Sequence, residues 1–123
     1  VLIVLNASGH LAEIYRLVRE ASAEVGASPH ALPPDLLDLL AGTALVREAF
    51  SNVATHEVST ELVVPDVASV VAYVSSMNSV ISMPGEAEEA EALIDQVRRI
   101  VSETITAEGA FRIRTASGCL VCK

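Results

Sequence analysis

Val1-Leu2-Ile3-Val4-Leu5 is an unbroken apolar run with no polar lead-in and no turn residue before it, the pattern of a strand buried on both faces. A strand of that kind lies mid-sheet in an α/β protein. Nothing ahead of Val1 supplies a neighbour for its second edge, so the expectation is the downstream half of a larger domain.

Working outward, Asn6-Ala7-Ser8-Gly9 makes a turn, and Ser8 or Gly9 is placed to cap a helix beginning near His10. Leu11, Ile14, Tyr15, Val18 and Ala21 recur at three- and four-residue spacing and form one apolar stripe, with Glu13, Arg16, Arg19 and Glu20 on the other side and an end by Gly26. Pro29, Pro33 and Pro34 exclude regular structure from 28–34. Asp35 is expected to cap a short turn through Leu40 that Gly42 breaks. A second short helix is then expected over 43–50, with Leu45, Val46, Ala49 and Phe50 inward.

Residues 53–58 alternate loosely, and Glu61-Leu62-Val63-Val64 continues them past Ser59-Thr60, giving one long bent strand or two short ones. Asp66 suits a helix cap ahead of Val67, Val70, Val71 and Val74, with Tyr73 beside them; 78–85 reads as a loop. The longest helix, 86–107, has Glu86, Glu88, Glu89 and Glu91 at its start, where the helix dipole favours negative charge. Its buried line is Leu93, Val97, Ile100 or Val101, and Ile105, and Gly109 ends it. The tail is β again, with a bend at Thr115-Ala116-Ser117-Gly118.

Two broken strands of matching length invite antiparallel pairing, 53–58 against 118–122 and 62–64 against 111–113, in one register. The fold class expected is α/β, and the sheet expected is three-stranded and mixed in the order first-last-middle, the last strand antiparallel to both neighbours. Helices flank it, and a two-helix insertion occupies about 66–108 of a single domain, 1–123.

The chain has 123 residues, 51% of them hydrophobic, and a net charge of −8 from eight basic and sixteen acidic side chains. Its mean hydropathy of +0.47 is high for a small soluble domain, which implies apolar surface facing a missing half or a partner. No apolar stretch reaches the ~20 residues of a membrane-spanning helix, so no membrane partner is expected. Two Tyr, two Phe and no Trp on an acidic chain give no basic stripe and no stacking platform, so no nucleic acid is expected either. Cys119 and Cys122 lack a second ligand pair for zinc, and residues three apart on a strand diverge. They are read as buried small residues in a reducing cytoplasm.

The order of strand, helix, short helix, bent strand, two-helix insertion and bent final strand resembles the C-terminal half of a class I S-adenosylmethionine-dependent methyltransferase, with an incomplete Rossmann-like sheet. In one bacterial branch the corresponding strand runs into Thr-Asn-Gly-x-x-His-Leu; Leu5-Asn6-Ala7-Ser8-Gly9-His10-Leu11 keeps the Asn, His and Leu and departs at Thr and Gly. Gly42 to Phe50 looks like the helix before the penultimate strand. Leu62-Val63-Val64-Pro65-Asp66 with Val71-Ala72-Tyr73-Val74 is similar to that branch's insertion helix. Ala110-Phe111-Arg112-Ile113 with Ser117 to Cys122 resembles its closing strand.

The resemblance implies S-adenosylmethionine as cofactor of the intact enzyme and a small-molecule methyl acceptor as its substrate. The Gly-rich turn and ribose-binding acid of such enzymes belong to the upstream half, and this chain has no Gly-x-Gly turn. No cofactor-binding residue is therefore assigned, and the chain alone is expected to bind no donor and to be inactive. The alternative is a stand-alone α/β binding or dimerisation module without catalysis.

Asn6, Ser8 and His10 lie where a strand ends and a helix begins, the edge at which open α/β sheets bind ligands. The resemblance turns that edge toward the acceptor, where His10 could orient it or accept its proton. The ordinary reading is a turn Asn and a His in the first turn of a helix. Tyr73 and Arg114 are further candidates for the acceptor pocket, though core packing and surface charge explain them equally. No catalytic residue is assigned. His30, His56 and the 86–91 glutamates lack the converging ligands a metal needs. An apolar first strand with a free edge also predicts a homodimer, joined there or through adjacent helices.

Overall fold

The computed structural model describes residues 1–26, 37–77 and 87–123. In chain order the elements are β1 (Leu2–Asn6), α1 (Ala12–Glu24), α2 (Leu39–Val46), β2 (Val53–Val64), α3 (Val67–Ser76), α4 (Ala87–Glu108) and β3 (Phe111–Cys122). The expected 28–34 loop, the Asp35 cap, His30 and the 78–85 loop lie outside the described residues. The structure divides into two compact units, one of described residues 1–11, 37–62 and 114–123 and the other of 12–26, 63–77 and 87–113.

The first unit is built on a three-stranded sheet in the expected order β1-β3-β2. β1 and β3 pair antiparallel, from Leu2 opposite Val121 to Asn6 opposite Ser117. On the other side of β3, Asn52 and Lys123 exchange backbone hydrogen bonds of 3.3 and 2.9 Å, an antiparallel signature. The Thr60 and Thr115 hydroxyls meet an equal number of residues further along each strand. The sheet is thus antiparallel between every pair of neighbours rather than mixed, because the last strand separates the other two.

Both long strands run unbroken, so of the two expectations for 53–64 the single long strand holds, and the expected break at Thr115 to Gly118 is corrected. Small and hydroxylated residues weaken a strand as a pattern, yet their backbones pair as well as any others. The reading of β1 as buried on both faces is also corrected. Ile3 and Leu5 pack inward, while Leu2 and Val4 stand 66% and 67% exposed.

α2 covers the inner face. Asp38 caps it by accepting from the Ala41 amide at 2.8 Å, and the helix passes straight through Gly42 instead of breaking there. A Cβ on Gly42 would run into the Leu5 side chain, so the glycine allows the helix to approach β1 closely. Leu39 then joins Ala7, Ala116, Leu120 and Cys122 in a buried cluster ringed by Ile3, Leu5, Val46, Phe50 and Val53. Leu45, expected inside, is turned outward by this one continuous helix, and Ala49, in the turn after it, is exposed as well.

The second unit is helical. α4 packs against both α1 and α3. Its buried line is Leu93, Val97 and Val101, facing Ile14, Leu17, Val18 and Ala21 of α1 and Val70 and Val74 of α3 in one core. Asp66 caps α3, accepting from the Ser69 amide and hydroxyl at 2.8 Å each, and these bonds hold its carboxyl below the usual carboxylate range. Gly109, at φ +83, ends α4 with its amide on the Ile105 carbonyl at 2.7 Å. α1 begins at Ala12, two residues later than expected, so neither Ser8 nor Gly9 is its cap.

β3 changes the parity of its buried positions along its length. Phe111 and Ile113 are buried in the helical unit, and Ala116, Gly118, Leu120 and Cys122 in the sheet unit. Gly118 is the tightest point, where an added Cβ would meet the Leu39 side chain and lie 2.9 Å from the His56 carbonyl oxygen. A backbone atom cannot yield as a side-chain tip can, so Gly118→Ala is expected to destabilise the chain by about 1–3 kcal/mol. Urea unfolding followed by circular dichroism measures it, and an unchanged midpoint would contradict the packing described.

Candidate functional site

The segment joining β1 to α1 is held by four backbone or ring hydrogen bonds. The Ala7 amide donates to the Ala116 carbonyl at 2.8 Å, extending the β1–β3 ladder one residue past Asn6. The His10 amide then closes a turn on the Ala7 carbonyl at 3.2 Å, and the Leu11 amide reaches the Arg114 carbonyl at 2.8 Å. The turn needs left-handed backbone at Gly9, φ +81, and at Leu11, φ +56. Leu11 is not glycine, so this conformation is tolerated only because its amide bond to β3 and its own burial hold it there.

The fourth bond is the informative one. The Ala116 amide donates to His10 Nδ1 at 3.1 Å. A backbone N–H can only donate, so Nδ1 must carry a lone pair, and the neutral ring then bears its proton on Nε2. His10 therefore takes the place of a strand residue in the ladder: its imidazole satisfies a β3 amide that the departing chain no longer can. Asn6 and Ser8 flank it, both exposed.

Of the four substrate-binding candidates, Asn6, Ser8 and His10 are thus brought together on one turn of the sheet unit. Tyr73 belongs to the helical unit, on α3, 42% exposed. Its neighbour there is Tyr15 on α1, whose phenol is pushed above its ordinary pKa by burial and further by Tyr73. Arg114 lies in the sheet unit, its side chain 3.9 Å from where a Gly9 Cβ would stand. His56 sits exposed on β2. Cys119 is half-buried and Cys122 buried, both free. Among the described residues no group of three or more His, Cys, Asp and Glu side chains is placed to hold a metal.

The helical unit contains a feature that sequence reasoning missed, a cleft of about 360 Å3 between α1 and α4. Glu13, Arg16, Leu17 and Glu20 line it at helical spacing from α1, Ile100, Thr104 and Glu108 from α4, and Phe111 and Arg112 from β3. The signal was present on the polar side of the α1 stripe, but a charged helix face reads as solvated surface until a second helix is laid beside it.

No protein-family model matches the chain, and no curated protein is significantly similar to it. No helix among the described residues is long and apolar enough to cross a membrane.

Replacing His10 by Ala leaves the partly buried Ala116 amide without its acceptor, and the expected loss of stability is about 1–3 kcal/mol by chemical denaturation. Nitrogen chemical shifts of the wild-type ring should report the Nε2-protonated tautomer. A ring protonated on Nδ1 would refute the assignment.

Proposed function

We propose that this chain is the C-terminal, acceptor-side portion of a class I S-adenosylmethionine-dependent methyltransferase domain acting on a small molecule. The observation that carries the reading is the strand order β1-β3-β2. A last strand that inserts between two earlier ones, antiparallel to the first, is the sheet arrangement expected from that resemblance. The helix pair α3 and α4 between β2 and β3, in the position of the two-helix insertion, supports it as well.

Within that reading the turn after β1 meets the acceptor. Because Nδ1 of His10 is engaged by the Ala116 amide, the ring offers a donor at Nε2, suited to holding an acceptor oxygen. Taking a proton at Nε2 would require the other tautomer and break the bond to β3, so His10 is assigned to orientation rather than to base catalysis. Asn6 and Ser8 add polar groups beside it. The described residues do not fit the methyl donor, since the chain has no Gly-x-Gly turn to cradle it, and no step through the donor is drawn from them. Two free cysteines suit a reducing cytoplasm.

The alternative, a stand-alone module that pairs through its sheet, draws on β1. Val1 and Ala7 bond to β3, so by alternation the main-chain groups of Leu2, Val4 and Asn6 point to the other edge, which no strand among the described residues occupies. That edge is apolar and carries no charge, proline or bulge to block pairing. We assign it a second copy, two-fold about Val4, as the partner of the chain by itself.

The gene upstream of Val1 separates the two readings. A Gly-rich strand-turn-helix followed by an acidic strand end supports the transferase, and a start codon at Val1 the module. Titration calorimetry of this chain with S-adenosylmethionine should show no binding. Affinity comparable with an intact enzyme would refute the assignment of the donor site to the other half. Light scattering should show a concentration-dependent dimer that Val4→Lys converts to monomer, whereas a wild-type chain monomeric at high concentration would exclude the pairing.

A further inference from the structure

The cleft between α1 and α4 takes no part in the reading above, and its chemistry is specific. Its floor is apolar: Leu17 is 2% exposed, Phe111 7%, and Ile100 half-buried. Around that floor stand three carboxylates, Glu13, Glu20 and Glu108, and two guanidiniums, Arg16 and Arg112, on a chain that has only eight basic residues. Its volume of about 360 Å3 falls in the lower part of the range for small-ligand sites, roughly 300–1,000 Å3.

Arg16 singles this rim out from ordinary helix surface. It has Glu13 three residues before it and Glu20 four residues after it, the spacings at which helical ion pairs form. On α4 the same spacings are used: Arg98 pairs with Asp95 at 2.7 Å and Arg99 with Glu103 at 2.9 Å. Arg16 closes no such pair among the described residues, although two carboxylates are within its reach along the helix. Arg16 lines the cleft, and Glu20 and Glu108 close no ion pair among the described residues either.

We propose that this cleft binds a small zwitterion, an α-amino acid with an apolar side chain. The ligand's carboxylate bonds Arg16, its ammonium lies among the Glu20 and Glu108 carboxylates, and its side chain covers Leu17, Ile100 and Phe111. Three negative charges against two positive disfavour a dianion or a phosphate, which would meet net repulsion. A simple fatty acid leaves the carboxylates unanswered, and a simple amine leaves Arg16 so.

The test is a titration of the isotope-labelled full chain, followed by amide chemical shifts, with L-leucine as the probe. Two controls each lack one charge: 4-methylpentanoate has no ammonium and 3-methylbutylamine no carboxylate. L-Leucine should shift the Leu17, Thr104 and Phe111 amides saturably, and bind about tenfold or more tightly than either control. Arg16→Gln, an exposed change that a dispersed spectrum will show to be folded, should weaken binding by about tenfold or more. Arg19→Gln, on α1 but outside the cleft, should leave it unchanged. Absence of saturable shifts, equal response to a control compound, or an Arg16→Gln variant that binds like wild type would each overturn the proposal. None of these outcomes depends on whether the chain is part of a methyltransferase.

Discussion

Among the described residues, every strand pairing passes through β3. Placed between β1 and β2, it meets β1 from Ser117 to Val121 and β2 from Thr115 to Lys123, so both outer strands hang on the hydrogen-bonding groups of its two edges. β1 has only five residues and β2 is exposed along nearly its whole length, so neither would persist as a strand alone. The inward-facing positions of β3 supply Ala116, Leu120 and Cys122 to the cluster that α2 covers. Small residues along that strand, Gly118 above all, let α2 and β2 close on it.

The candidate site is a consequence of the same ladder. Where the chain leaves β1 for α1, one β3 amide loses its strand partner, and a buried or half-buried amide without an acceptor is destabilising. His10 supplies the acceptor from a side chain, which fixes its ring tautomer and leaves one nitrogen for other work. Structural and functional readings of His10 therefore concern different atoms of the same ring. Only Nε2 can serve a ligand without loosening the turn.

Much of this was legible beforehand. The paired lengths of residues 53–64 and 111–122 implied the antiparallel register, and Asp66, Gly109 and the Leu93-Val97-Val101 line placed α3 and α4 closely. The misreadings share one cause. Gly42 looked like a helix breaker, Thr115 to Gly118 like a strand break, and Ser8 or Gly9 like a cap. Each is locally unfavourable or ambiguous, and each is overridden by tertiary packing or by a ladder partner distant in sequence. The hydrogen bond from Ala116 to His10 spans most of the chain and has no local signature, and the cleft lined by Arg16 needs two helices to exist.

The order of elements, the alternation of the strands and the apolar stripes of the helices belong to the sequence itself, because periodicity and capping act over a few residues. So do the acidic balance and the absence of a Gly-x-Gly turn. Which nitrogen of His10 is engaged, which face of β1 is left open and which charges meet across the cleft were decided only by the folded chain, since those outcomes depend on groups brought together by packing rather than by neighbourhood along the backbone.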